Sequence, residues 1–506
     1  MKRLVFLIVL AAVLAAGCTS PGQAPAPATQ TQTPADSPAD SFFAQAGKAF
    51  ASGNFHAAGD LYFQAYDQYK GEGKADRARD AMNKGSVSVR MHAESPYNRS
   101  VMIAMIDAEF PAVPAERKAG WFPCNASQCI ESDGETWFFA NTINNIRSHN
   151  MDLMREATAK IGQTPFYDQM KSIALTPYDG SAGIYVNPVR WEGTETLKIP
   201  VAQLPKTGTL RLWIPLPVET PSQRNVTIVA VEPAQYVKSQ TGTSADMGLA
   251  YLEIPLESVT GDSLDITARF RYTQYEVRYI IDPAKVGTYD RADPEYKKYT
   301  ASGNNIVITP AMKAKALEIV GDETNPYLQA EKLYWHVVSH PYSNVPHIRL
   351  SVSGRPESVY MLETGFGDCG TQSMYFAALC RSLGIPARSI GGYQLVPGHE
   401  GTHFWSEYYL PGYGWIPNDV TIAEGAEWSY EASGDDRHQY KDFYARNLDP
   451  YRYIIQKDVD VPLTPPAGNV VMFDMVVQSP KAACDTCDTD PEFEMLEDWK
   501  VIVKKA

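Results

Sequence analysis

Gly365-Phe366-Gly367-Asp368-Cys369-Gly370 opens directly onto an apolar-periodic run at 371–383, which closes in Gly384-Ile385-Pro386-Ala387-Arg388. Tyr375, Phe376, Leu379, Cys380 and Leu383 recur at three- and four-residue steps. That spacing predicts a helix with one buried face. Gly367 and Gly370 let the backbone turn sharply and come close to a bound molecule. Cys369 therefore stands at a helix start, where unpaired N–H groups carry partial positive charge and favour a thiolate.

Two further blocks follow. Thr402-His403-Phe404-Trp405-Ser406-Glu407 places an imidazole 34 residues after Cys369, and Gly414-Trp415-Ile416-Pro417-Asn418-Asp419 places a carboxylate 16 residues after His403. The aromatic-rich stretch 402–410 reads as a strand and Pro411-Gly412-Tyr413-Gly414 as a turn into a second one. Pairing Tyr409 with Trp415 sets position 403 opposite 421 and makes Asp419 a diagonal neighbour of His403 on the same face. A one-residue slip would send it to the other face. Taken singly, each residue has a bland reading: a small core thiol, a structural histidine, a turn aspartate. Thiol, imidazole and carboxylate in this order, each on its own element, are what acyl transfer through a cysteine nucleophile requires. An imidazolium at His403 would pair with the thiolate, and Asp419 would hold the ring's tautomer.

These blocks, with Arg381-Ser382-Leu383-Gly384-Ile385-Pro386-Ala387-Arg388 and Gly392-Tyr393, make residues 345–422 resemble the core of the transglutaminase-like superfamily. The resemblance implies a papain-like core with Cys369 as nucleophile, His403 as general base and acid, and Asp419 as the orienting group. It continues more loosely upstream to about 208, where Leu210-Arg211-Leu212-Trp213-Ile214-Pro215-Leu216-Pro217 is similar to a strand of the β domain that precedes many microbial members. Phe404 and Val420 depart from the family pattern, which often has a small residue and a proline there. The Cys369 N–H is one expected donor to an oxyanion. Tyr342 and Asn344 are the upstream candidates for the second.

The chain has 506 residues and a net charge of −14, with no basic face to engage nucleic acid. Lys2-Arg3, an apolar run at 4–14 and Ala15-Ala16-Gly17-Cys18 read as an export signal ending in a lipobox-like site, with Cys18 as the lipidated residue. The run is short for a membrane span. The chain is thus expected outside the cytoplasm, anchored to the cell membrane as a lipoprotein. Of seven cysteines, Cys380 belongs to the core face of the helix. Cys124, Cys129, Cys484 and Cys487 form two close pairs, for which disulfides are the expectation in an oxidising compartment and a four-thiolate zinc site the alternative.

The remaining sequence predicts a multidomain α+β protein. Its parts are a signal peptide at 1–17 and a disordered Pro/Ala/Thr/Gln-rich tether at 18–41. A helical, tetratricopeptide-like module at 42–94 follows, with a mainly helical segment of unassigned role at 95–175. A β-sandwich-like domain at 176–285 rests on strands at 210–216, 226–231, 249–254, 264–272 and 276–281. The catalytic domain spans 286–455, and a C-terminal extension with the Cys484/Cys487 pair spans 456–506. The expected activity is attack by Cys369 on peptide-type amides, with hydrolysis ahead of protein-glutamine acyl transfer. The alternative is a non-catalytic docking lipoprotein. A protein or peptide is the expected substrate, the helical module offers a surface for a protein partner, and no cofactor is called for.

Overall fold

The computed structural model describes residues 37–122, 129–132, 135–162, 166–429, 431–468, 475–484, 486–487 and 493–506. The signal, Cys18, most of the tether and Cys124 lie outside them. Among the described residues no helix is long and apolar enough to cross a membrane.

The first helix, Pro38–Ala51, begins inside the stretch read from sequence as tether. Proline suits a first helical turn, where its missing N–H has no partner to lose. Helices Phe55–Gly71 and Ala75–Glu94 follow, packed through small residues such as Ala46, Ala58, Ala65, Ala78 and Ala81. Within 95–175 the main helices are Arg99–Glu109, Thr142–His149, Met151–Ile161 and Tyr167–Ala174.

Two four-stranded antiparallel sheets come next. One orders Lys481–Ala483, Thr209–Leu216, Gly248–Pro255 and Val237–Gln240; the other orders Trp499–Lys505, Tyr185–Pro200, Ser263–Val277 and Gln223–Glu232. Alternating Leu210, Leu212, Ile214, Leu252, Ile254, Leu197, Ile199, Ile266 and Ala268 fill one core between them. The stretch expected as a strand at 264–272 lies within Ser263–Val277, while the one expected at 276–281 forms no strand of its own, because Ser263–Val277 takes in only its first two residues. Both sheets take their last strand from the C-terminal extension.

The 286–455 region builds a third antiparallel sheet in the order Gly414–Asn418, Gly401–Leu410, Ala387–Gln394 and Arg452–Gln456. The helix Cys369–Ser382 lies against it, with Pro310–Val320, Pro326–Val338, Glu357–Thr364 and Val420–Trp428 around the helix's other sides. The sequence predicted one buried face, but every residue from Gly370 to Ser382 is buried. Small and hydroxylic residues make this possible on the second face. Ser373 bonds Ser389 Oγ at 2.6 Å and Trp405 O at 2.9 Å, so its burial leaves no polar group unpaired.

The outer face of the second β-domain sheet backs this third sheet through Trp191, Phe270, Tyr272, Tyr393 and Tyr453. Tyr272 donates to Arg452 O (3.0 Å) and Trp191 Nε1 to Pro450 O (3.2 Å). The β domain thereby fixes the strand that carries Arg452.

Candidate functional site

Cys369 is the first residue of its helix and is partly exposed. Asp368 caps that helix: its Oδ1 accepts the Gly370 and Thr371 N–H groups, each at 3.1 Å. The Phe404 backbone N–H is close enough to the Cys369 sulfur to favour its thiolate, and the Phe404 ring packs 3.3 Å from the position a Gly370 side chain would occupy. The thiol therefore lies beside the His403–Phe404 peptide. Burial pushes the thiol well above its ordinary range, and the charges of Asp368 and Asp419 push in the same direction, against the N–H groups of Phe404 and Gly370. The helix start alone does not produce a thiolate, because Asp368 has already engaged its N–H groups. A cation beside the sulfur is what would favour its charged form.

His403 lies on Gly401–Leu410 opposite Gly392. On the other side of Gly392, a side chain would meet Tyr453 O at 2.1 Å, so only glycine lets Ala387–Gln394 close on Arg452–Gln456 here. His403 Nε2 is 2.8 Å from Asp419 Oδ2, and both residues are buried. A carboxylate facing Nε2 selects the tautomer with the proton there and leaves Nδ1 basic. The predicted register holds, with Tyr409 opposite Trp415. The strand, however, ends at Asn418, and Asp419 is the N-cap of Val420–Trp428 rather than a strand residue. Its Oδ1 accepts the Ile422 N–H at 3.0 Å.

Arg452 is absent from the motif. It is fully buried, donates to Asp419 Oδ2 through Nη1 and to Asp449 Oδ2 through Nη2 (2.6 Å), and lies 5.0 Å from the Trp405 ring. Burial alone would raise the Asp419 carboxyl. His403 and Arg452 outweigh it and hold the group at about 2.

Of the two upstream donor candidates, Asn344 is engaged elsewhere: its side-chain N–H donates to Asn145 Oδ1 at 3.0 Å. Tyr342 runs beside the nucleophile loop, with a parallel bridge to Gly367. Burial raises its hydroxyl pKa, and the charges of Cys369, Asp368 and Glu424 push the same way. The Cys369 N–H has no acceptor among the described residues.

The helices of 95–175 also touch the site. His149 stacks on Phe366 at 4.9 Å, Arg155 Nε donates to Glu427 O at 2.8 Å, and Thr158 Oγ1 to Trp428 O at 3.0 Å. Nothing in that segment's sequence marks it as a neighbour of Cys369.

Cys484 and Cys487 are joined as a disulfide, with their Cα atoms 5.6 Å apart, and Cys129 is also disulfide-bonded. Sulfurs spent in disulfides cannot serve as zinc thiolates, so the four-thiolate alternative over Cys124, Cys129, Cys484 and Cys487 does not hold. Among the described residues no group of three or more His, Cys, Asp or Glu side chains is placed to hold a metal ion.

With this geometry in view, residues 313–420 match the model of the transglutaminase-like superfamily. That stretch is a transglutaminase-like domain. An uncharacterised protein of Haemophilus influenzae is 31% identical over 127 residues, covering 20% of this chain. The match spans only 33% of that relative's length. Among solved structures, a provisionally named cysteine protease from Cytophaga hutchinsonii is similar at 13% identity and a TM-score of 0.41, over 63% of this chain and 91% of its own. The periplasmic domain of TgpA from Pseudomonas aeruginosa is similar at 15% identity and a TM-score of 0.22, over 45% and 93%.

Proposed function

We propose that the transglutaminase-like domain is a thiol enzyme that cleaves peptide-type amides through a Cys369 thioester. The observation that carries this reading is the arrangement around His403: Nε2 fixed by Asp419 at 2.8 Å, and the Cys369 sulfur beside the adjoining Phe404 peptide. Nδ1 takes the thiol proton, and the thiolate attacks the substrate carbonyl. The Cys369 N–H and the Tyr342 hydroxyl are the groups that would meet the oxyanion. The C–N bond then breaks as His403 returns its proton to the leaving amine. Water gives up a proton to His403, attacks the thioester and releases the acid together with the free thiol. Hydrolysis asks for nothing more than water at that stage, whereas transamidation asks for a second site that receives an amine. A docking module without catalysis would have no use for a buried Arg452–Asp419–His403 array, whose desolvation is costly.

The test uses the full chain with an iodoacetamide alkylation assay and a mixed peptide set, with and without a primary amine, read by mass spectrometry. The expected result is selective alkylation of Cys369, slowed in His403→Ala, and pairs of peptide products whose masses add up to the substrate plus one water. Amide adducts would move the reaction to acyl transfer. An alkylation rate equal to that of an ordinary thiol, indifferent to His403, would end the proposal.

A further inference from the structure

A second histidine lies behind the nucleophile. His347 opens the helix His347–Ser353, with Nε2 2.6 Å from Asp368 Oδ2 and Nδ1 2.7 Å from Glu357 Oε1. A neutral imidazole has one N–H, and ionised carboxylates only accept. With a carboxylate on each nitrogen, the ring bonds both only as the imidazolium. The group closes on itself: Thr371 Oγ1 donates to Glu357 Oε2 at 2.8 Å, and Asp368 Oδ1 caps the Cys369 helix. Glu94, from the N-terminal helices, accepts the N–H groups of Ile348 (2.7 Å) and Arg349 (2.9 Å) and fixes the start of the His347 helix.

Asp368 precedes the thiol, and its negative charge opposes thiolate formation. His347 is the cation that offsets it. We propose that His347, bridging Glu357 and Asp368, is a positioning residue for the Cys369 nucleophile: it holds the helix cap in place and cancels the charge that the cap would otherwise direct at the sulfur. The thiol thus has a histidine–aspartate couple on each side. His403–Asp419 takes its proton, and His347–Asp368 shields it. Asp368 and Glu357 face His347 directly, Glu94 is coupled to it more weakly, and Arg349 on its own helix is coupled to Glu94. Although burial works against the charged ring, Asp368 and Glu357 hold it protonated well above the usual histidine range. The compensation is present through neutral pH and is lost as pH rises through the ring's own value.

This inference rests on the thiol–imidazole reading above, and its test needs no substrate. Iodoacetamide alkylation of Cys369 is measured in the full chain for wild type, His347→Gln, Asp368→Asn, the double variant and His403→Ala. Asparagine caps a helix as well as aspartate does but carries no charge. One pK unit at the sulfur is tenfold in thiolate. His347→Gln should therefore slow alkylation about tenfold or more at neutral pH and move its alkaline limb. Asp368→Asn alone should speed alkylation. The double variant should return to within about threefold of wild type, since removing the carboxylate removes the need for the cation. A double variant no faster than His347→Gln, or an Asp368→Asn no faster than wild type, overturns the proposal. If wild type itself is no faster than His403→Ala, the thiol–imidazole reading has failed first.

Discussion

Asp419 uses its two oxygens differently. Oδ1 caps Val420–Trp428, while Oδ2 receives His403 Nε2 and Arg452 Nη1. Asparagine preserves the cap but can place an N–H where Oδ2 stood, facing two donors. Asp419→Asn should therefore reduce turnover by about two to four orders of magnitude through loss of the ring's orientation. It should also destabilise the fold by about 3–5 kcal/mol, because Arg452 loses a buried counter-charge. Peptide turnover and urea denaturation measure the two effects, and a variant with full turnover would remove Asp419 from the proposed mechanism. Cys369, His403 and Asp419 were legible in the sequence because each is marked by its neighbours: a glycine-flanked helix start, an aromatic strand, a tight turn. Arg452 and His347 were not. An arginine or histidine with no distinctive flanks reads as a solvated side chain, and only burial between carboxylates shows otherwise.

The C-terminal extension shows what local pattern leaves out at the scale of elements. Trp499–Lys505 pairs with Tyr185–Pro200, and Lys481–Ala483 with Thr209–Leu216, across most of the chain's length. A three-residue strand has no measurable period, and register with a partner so distant leaves no trace in composition. The sheets around 210–272 could be read because their strands are long enough to alternate. Just before the first of these late strands, Gln478 donates from Nε2 to Gly392 O at 2.7 Å and His403 O at 2.8 Å, while its backbone carbonyl accepts from the Tyr393 hydroxyl at 2.5 Å. The extension thus fixes the backbone under the imidazole. Gln478→Ala leaves two buried carbonyls without that donor and should cost about 1–3 kcal/mol in urea denaturation. Cys369 alkylation should slow with it, as the His403 strand loses a support. A variant as stable as wild type would show that water replaces the amide.

The described residues from Pro38 onward form one compact unit, and its stability should depend on pH from both sides. On the acid side, Asp419 is lowered from 3.8 to about 2. A depressed carboxyl contributes above its unfolded value and loses that contribution as pH falls through the folded one. This group alone is worth about 2 kcal/mol, lost between about pH 4 and pH 2. On the alkaline side the sign reverses. Glu195 is fully buried among Trp191, Phe270, Tyr272 and Tyr453, with Oε1 accepting the Tyr453 hydroxyl at 2.8 Å and Oε2 without a partner. Burial raises it well above 4.5, and the same holds for Glu424 beside Gln372. A carboxyl raised on folding contributes fully below its unfolded value and loses that contribution as pH climbs toward the folded one. Glutamine is the uncharged isostere of the protonated acid, so Glu195→Gln should flatten the fall in urea midpoint as pH rises above the ordinary glutamate range, while changing little at the acid end. Parallel wild-type and variant curves would mean that Glu195 is ionised in the fold. In that case the aromatic seam between the β domain and the catalytic sheet would have to hold a bare charge, at a desolvation cost that one tyrosine hydroxyl does not offset.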